Sequence, residues 1–193
     1  MRHNNLRDLN ISLQNEVCRD VVSEPKLLPL ENEEVDGTQA DRAAPDISSR
    51  GLWSTFQRTF FDVRVLHPNA PSYRSTDLEQ LYKNHEQEKM RKYNSRVITV
   101  EGGSFTPLIY TTFSGMGPQA TKYHKRLAEK IADKCNEAYH HVMNHMRTRI
   151  RFSLLRSVLI AIRGERGKKA KSAKPLSSVS FNLVPDAQEY ECP

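Results

Sequence analysis

The chain has 193 residues, of which 29 are Lys or Arg and 23 are Asp or Glu, so its formal net charge is +6. This length allows one ordinary domain with tails, or at most two small domains. The hydrophobic share of 37% predicts a modest core with disordered ends. The longest apolar stretch, Val158 to Ile162, is too short to span a bilayer, which excludes a membrane-spanning class.

The first part of the chain predicts a helix, an acidic linker and two strands. An amphipathic helix is expected over residues 3–22, where apolar side chains recur at helical spacing: Leu6, Leu9, Leu13, Val17 and Val21. Residues 24–46 carry seven Asp and Glu against two Lys and Arg, which favours a solvated linker. Phe60–Leu66 is the clearest strand, and Pro45-Asp46-Ile47-Ser48 is expected to begin another.

The remaining chain predicts a helix, two strands and further helices. The helix is expected over residues 76–94, the strands over 97–101 and 107–111 across Gly102-Gly103, and further helices over most of 119–163. Thr76 and Glu79 have the spacing of a capping box at the start of the first of these helices. This order of elements predicts a mixed α/β fold, a small mixed sheet flanked by helices.

Four segments follow from these predictions. They are an N-terminal helix of the core (1–23), an acidic linker (24–41), a core with basic C-terminal helices (42–163) and a disordered tail (164–193).

Two aspartates are candidates for a site on the predicted sheet. Period-2 alternation sends Phe61, Val63 and Val65 to one face of their strand, and Phe60, Asp62 and Arg64 to the other. If the strand beginning at Pro45 is an antiparallel neighbour, it brings Asp46 close to Asp62. Two carboxylates held in this way suit Mg²⁺. The alternative is that Asp62 pairs with Arg64 or caps a strand end.

The helix over residues 76–94 adds lysines to this candidate site. Its inward face is predicted to contain Leu78, Leu81, Tyr82, His85, Lys89, Lys92 and Tyr93, whereas Lys83, Glu86 and Arg91 point outward. A lysine beside a carboxylate pair can orient an attacking water or offset charge in the transition state. The alternative is that each lysine stem covers apolar surface while its ammonium group stays in water.

Positive charge is concentrated late in the chain. Residues 122–171 carry 14 Lys and Arg against four Asp and Glu, which favours a polyanion with a phosphate backbone. The candidate nucleic-acid-binding residues are Lys122, Lys125, Arg126, Arg147, Arg149 and Arg151. An ordinary solvated helix surface would explain the same charges.

Several of these segments resemble one family. Pro45-Asp46, Asp62-Val63-Arg64-Val65 and Glu88-Lys89 with Lys92-Tyr93 are similar to the restriction-like endonuclease domain that follows the reverse transcriptase of site-specific non-LTR retrotransposons. That domain belongs to the PD-(D/E)xK nuclease superfamily. Longer stretches, such as Arg50-Gly51-Leu52-Trp53, are similar to the C-terminal ends of such elements in animal genomes. The resemblance covers about residues 2–166.

The resemblance implies a PD-(D/E)xK core and a role for each motif residue. Asp46 and Asp62 would bind Mg²⁺ or Mn²⁺, Lys89 would be the catalytic lysine, and Tyr93 would complete the helix motif. Lys92 stays open as the alternative lysine, Glu16 would be an auxiliary acid at best, and Arg64 stands where the superfamily usually has a lysine.

The implied reaction is metal-dependent hydrolysis of a DNA phosphodiester, nicking one strand for target-primed reverse transcription. The partner would be DNA, with RNA or the reverse transcriptase of the same element as further candidates and no membrane. The location would be the nucleus, or the cytoplasm before import. Two other classes stay open: a catalytically inactive nucleic-acid-binding remnant and a protein-interaction domain.

Overall fold

A four-stranded mixed sheet forms the centre of the fold, in a computed structural model that describes residues 2–28 and 44–169. Its strands, in both chain order and spatial order, are β1 (Arg19–Ser23), β2 (Ile47–Arg50), β3 (Arg58–Leu66) and β4 (Ser104–Thr111). The helices are α1 (Arg2–Val17), α2 (Leu78–Thr99), α3 (Pro118–Cys135) and α4 (Tyr139–Lys169). β1, β2 and β3 pair antiparallel, whereas β3 and β4 are parallel and are joined through α2. The prediction of a mixed α/β fold is confirmed.

Helices cover both faces of β3, so its side chains divide between two cores. Phe61 and Val63 pack on one face in a core built from α1, α3 and α4, with Leu13, Leu127 and Met146 among its buried members. Phe60 lies on the other face and packs against α2. This division follows the period-2 alternation of the strand and sends Asp62 toward α2.

The first helix is shorter than predicted. α1 ends at Val17, and Arg19–Ser23 forms the strand β1 in place of the last helical turn. Val21 and Val22 are β-branched and lose side-chain freedom in a helix, whereas β2 offers this segment an antiparallel partner. The expected helical segment 1–23 therefore contains a helix and a strand. Residues 29–43, most of the expected linker, lie outside the described residues.

The predicted strand over residues 97–101 is wrong, because α2 continues to Thr99. Val97 is β-branched but fully buried in the core beneath α2, and this burial outweighs its preference for a strand. The Gly102-Gly103 turn therefore joins a helix to β4. A Cβ atom on Gly103 would lie 2.7 Å from the backbone oxygen of Arg58, so this close approach requires glycine.

The C-terminal helices agree broadly with the prediction. α3 and α4 occupy most of residues 119–163, but α4 continues to Lys169 and so includes the first six residues of the expected tail. Residues 170–193 of that tail lie outside the described part of the chain. In residues 2–28 and 44–169, no helix combines the length and apolar character needed to cross a membrane.

The N-cap of α2 is Asp77 and not Thr76. The helix begins at Leu78, and the Asp77 carboxylate accepts a hydrogen bond from the Glu79 backbone amide at 3.0 Å. A carboxylate at this position also interacts favourably with the helix dipole. The predicted capping box of Thr76 and Glu79 is therefore wrong by one residue.

We expect Asp77→Ala to lower the free energy of unfolding by about 1 kcal/mol, since it removes the only side-chain cap of α2 among the described residues. Urea denaturation monitored by circular dichroism measures the change. Thr76→Ala is the matched control and should cost clearly less. Equal losses for the two variants would contradict the assignment of Asp77 as the cap.

Candidate functional site

Pairing between β2 and β3 brings Asp46 next to the middle of β3. Asp46 directly precedes β2, and its backbone amide donates to the Phe61 carbonyl at 2.9 Å. Its carboxylate oxygen Oδ2 accepts a hydrogen bond from the Val63 amide at 2.6 Å. Asp62 lies between Phe61 and Val63 on β3. Both aspartates are therefore held on adjacent elements of the sheet, with the Asp46 carboxylate bound to the β3 backbone.

Asp62 forms an ion pair with Lys89 of α2. The ammonium Nζ lies 2.6 Å from Oδ2 of Asp62. The alternative pairing with Arg64 does not form, because Arg64 donates to Glu88 at 2.8 Å. Asp62 is only 3% exposed. Aspartate side chains are rarely buried this deeply unless they are paired, so Asp62 is not an ordinary surface carboxylate.

Burial is the main influence on the charge of Asp62. It raises the pKa of the Asp62 carboxyl above its ordinary value, the Lys89 ammonium opposes this, and the charge of Asp46 adds to the rise. The pKa of the Tyr93 hydroxyl is raised by burial first and then by the negative charge of Asp62. Tyr93 therefore remains a protonated phenol beside Asp62 at neutral pH.

The inward face of α2 distinguishes the two candidate lysines. Lys89 contacts Asp62, whereas Lys92 is exposed and its Nζ lies 4.7 Å from the centre of the Tyr93 ring. Tyr93 is buried, as expected for this face, but Leu78 at its start is 44% exposed. Lys89 is therefore the lysine of α2 that meets the carboxylates.

Glu86 does not point outward as predicted. It is buried, and its Oε1 accepts a hydrogen bond from the Gln119 amide at 2.9 Å in the first turn of α3. Burial raises the pKa of the Glu86 carboxyl, and the hydrogen bond from Gln119 opposes that rise. The helical projection could not anticipate this role, because the partner amide belongs to an element 33 residues away.

His3 is a site residue that sequence reasoning missed. Its Nε2 lies 2.8 Å from Oδ2 of Asp46, the oxygen that also accepts from the Val63 amide. His3 continues the buried stripe of α1 that contains Leu6 and Leu13, spaced three and ten residues later. This spacing was the signal available in the sequence. It predicts that the His3 side chain points inward, but it does not identify a partner.

We expect His3→Gln to change the pH dependence of stability. The hydrogen bond to Asp46 raises the pKa of His3 above 6.5, against the opposing effect of burial. The stabilisation from this pair is therefore complete below pH 6.5 and lost as pH rises through the higher native-state pKa. Thermal melts at pH 6 and pH 8.5 should show this loss in the parent protein but not in His3→Gln. His140→Gln, an exposed position on α4, should behave like the parent.

The aspartate pair offers donors that suit a hard divalent cation. Mg²⁺ binds one or two carboxylates and keeps several water ligands. Both described hydrogen bonds to the Asp46 carboxylate fall on Oδ2, so Oδ1 accepts none from the described residues. Within residues 2–28 and 44–169, no three His, Cys, Asp or Glu side chains are arranged to hold a metal. Coordination at Asp46 and Asp62 would therefore include water or phosphate oxygens.

The six basic candidate residues lie away from the aspartates. α3 and α4 cover the sheet face opposite α2, and none of the six contacts Asp46 or Asp62 in the described chain. They divide by environment: Lys122 lies over Trp53, Arg126 pairs with Glu129, Arg149 pairs weakly with Glu16, and Lys125, Arg147 and Arg151 line one cavity. A polyanion bound to these helices would have to pass an edge of the sheet to reach Asp62.

Glu16 is not part of the aspartate site. It lies 3.9 Å from Arg149, and Lys134 donates to its backbone oxygen at 2.6 Å. Because α1 rises 1.5 Å per residue, Glu16 is about 20 Å along the helix from His3, which touches Asp46. The expected auxiliary role for Glu16 is therefore wrong.

No protein-family model, curated protein or solved structure matches the chain. The interpretation of the site therefore depends on the geometry of Asp46, Asp62, Lys89 and His3.

Proposed function

We propose that this chain is a PD-(D/E)xK-like nuclease domain that hydrolyses DNA phosphodiesters with a divalent metal. The observation that carries the proposal is the ion pair between Asp62 and Lys89, with Asp46 bound to the strand beside them. Lys89 of α2 contacts Asp62 of β3, and Asp46, just before β2, is close enough for its charge to act on the Asp62 carboxyl. The resemblance to retrotransposon endonuclease domains supplies the substrate and the purpose, the nicking of one DNA strand for primed reverse transcription.

Each residue has a separate role in this proposal. Asp46 and Asp62 would hold Mg²⁺ or Mn²⁺, which when bound lowers the pKa of water and offsets charge on a phosphate. Lys89, next to Asp62, would orient the attacking water or stabilise negative charge on the phosphate oxygens. Tyr93 would keep its proton and help to fix the Asp62 carboxylate. The basic side chains of α3 and α4 would bind the DNA backbone.

A second candidate function is an inactive nucleic-acid-binding domain. It is favoured by the contacts that both carboxylates make within the protein: Asp62 with the ammonium of Lys89 and Asp46 with the imidazole of His3. The site is thus compensated by its own side chains, and a metal would have to compete with these contacts. In this candidate function the domain has the same fold and binds nucleic acid through its basic helices, but it does not hydrolyse DNA.

Two measurements on the whole chain test the proposal. The first is nicking of supercoiled plasmid with Mg²⁺ or Mn²⁺ against the same reaction with EDTA. The second is sensitised Tb³⁺ luminescence without DNA, because Tyr93 lies beside Asp62 and its ring can transfer excitation to a bound lanthanide. Nicking and Tb³⁺ binding would support the nuclease. DNA binding that weakens steeply with salt, without nicking, would support the inactive domain. If the chain neither nicks nor binds DNA, the protein-interaction class remains.

A further inference from the structure

A separate cavity lies on the other side of the sheet. It has a volume of about 240 Å³ and lies between α3, α4 and the loop after β4. Its polar walls consist of three cations, two hydroxyl groups and an imidazole: Lys125, Arg147, Arg151, Ser114, Thr121 and His124. No acidic side chain lines it in the described structure. The cavity shares no residue with the aspartate site.

The three cations of this cavity have no carboxylate partner among the described residues. Arg147 and Arg151 are four residues apart on α4, so they share one face of that helix, and Lys125 approaches from α3. Glu129 lies near Lys125 and Arg147 in the adjoining cleft, but it is already paired with Arg126 at 3.1 Å. Three uncompensated positive charges around one cavity favour an anionic ligand.

His124 is a buried residue in the wall of the cavity. His124 is 2% exposed, its Nε2 lies 2.8 Å from the Tyr110 hydroxyl, and its Nδ1 has no hydrogen-bond partner in the described structure. Burial, with a smaller contribution from the charge of Arg147, lowers the pKa of His124 to about 3, so the ring is neutral at pH 7. The Tyr110 hydroxyl donates to Oδ1 of Asn10 at 3.4 Å, so Nε2 of His124 donates to the Tyr110 oxygen and Nδ1 carries a lone pair without a partner in the described structure. The neutral ring therefore adds neither a charge nor a donor to the cavity, whose candidate anion-binding groups are the three cations and the two hydroxyls.

We infer that this cavity between α3 and α4 binds a phosphate group. Arginine side chains donate paired hydrogen bonds to phosphate oxygens, and a lysine adds a point charge. The hydroxyls of Ser114 and Thr121 supply neutral donors. The phosphate could be an internal phosphodiester of a nucleic-acid backbone or a terminal phosphate monoester. Only the choice between these sources depends on the proposed nucleic-acid partner, because phosphate binding itself needs no hydrolysis at Asp62.

The first test is titration of the whole chain with inorganic phosphate by calorimetry at constant ionic strength. The double variant Arg147→Gln/Arg151→Gln should weaken binding at least about tenfold, because it removes charge-assisted hydrogen bonds. Arg156→Gln/Arg163→Gln is the matched control: it removes the same charge from exposed positions of the same helix and should leave binding unchanged. Absence of phosphate binding, or an equal loss in the control, would overturn the inference.

A second test distinguishes the two sources of phosphate. Short oligonucleotides of one sequence are compared with a 5′-phosphate and with a 5′-hydroxyl. Tighter binding of the 5′-phosphate form, abolished by Arg147→Gln/Arg151→Gln, would assign the cavity to a terminal phosphate. Equal binding of both forms, weakened equally by the double variant, would assign it to the backbone. If the double variant affects neither oligonucleotide although it loses inorganic phosphate, the cavity serves a ligand other than nucleic acid. These three outcomes can be distinguished even if the chain does not nick plasmid DNA, because the test measures binding only.

Discussion

Asp62→Asn is expected to lower metal-dependent nicking at least about a hundredfold. Changes in the outer shell of a metal site typically cost 10- to 100-fold in affinity or activity, and Asp62 is proposed as a direct ligand. Asparagine keeps the shape of the side chain but carries no charge to bind the metal. Sensitised Tb³⁺ luminescence should fall together with nicking, which separates loss of metal from damage elsewhere.

The matched control is Asp133→Asn, an exposed position on α3 that makes the same change of charge away from the site. It should nick DNA like the parent protein. Circular dichroism and thermal melts establish that both variants are folded. If folded Asp62→Asn nicks as fast as the parent, the proposed role of Asp62 is wrong and the observed cutting has another origin.

Lys89→Met is expected to lower the free energy of unfolding by roughly 3–5 kcal/mol at pH 8, the cost of breaking a buried ion pair from one side. Asp62 would then be a buried carboxylate without its cation. Burial already raises the pKa of Asp62, and loss of the ammonium raises it further. As pH rises from the unfolded-state pKa of about 3.9 to this higher native-state pKa, the free energy of unfolding falls. The loss should therefore be smaller at pH 5 than at pH 8.

Two controls make this prediction specific. Lys92→Met removes an exposed lysine three residues further along α2 and should cost about 0.5–1 kcal/mol, the contribution of an exposed cation–π contact with Tyr93. Asp62→Asn/Lys89→Met removes both charges and should be more stable than Lys89→Met alone at pH 8. Urea denaturation at both pH values measures all four proteins. Equal losses for the two single lysine variants would contradict the assignment of Lys89.

The parts of the fold that follow from local periodicity could be predicted. The alternation of Phe60–Leu66 predicted β3 and the face on which Asp62 lies, because successive side chains in a strand must point to opposite sides. Helical spacing likewise predicted that Lys89 and Tyr93 share the inward face of α2. These inferences depend only on backbone geometry, which each segment carries by itself.

The errors occur where a distant contact outweighs a local preference. Val97 belongs to a β-prone segment, yet burial against the sheet keeps it in α2. Val21 follows a helical pattern, yet pairing with β2 makes its segment a strand. The Glu86 side chain was expected in solvent, but it is buried and accepts a hydrogen bond from the amide of Gln119. In each case the deciding partner is far away in the chain, where periodicity carries no information.

By itself, the sequence determined the mixed α/β class, the mid-strand position of Asp62, and the helix face that carries both Lys89 and Lys92. Only the tertiary structure decided that Lys89 meets Asp62, that His3 binds Asp46, and that three of the six basic residues surround one cavity. The physical reason is the range of the interactions. The direction of a side chain follows from its own backbone, whereas its partner depends on how the separate elements pack against one another.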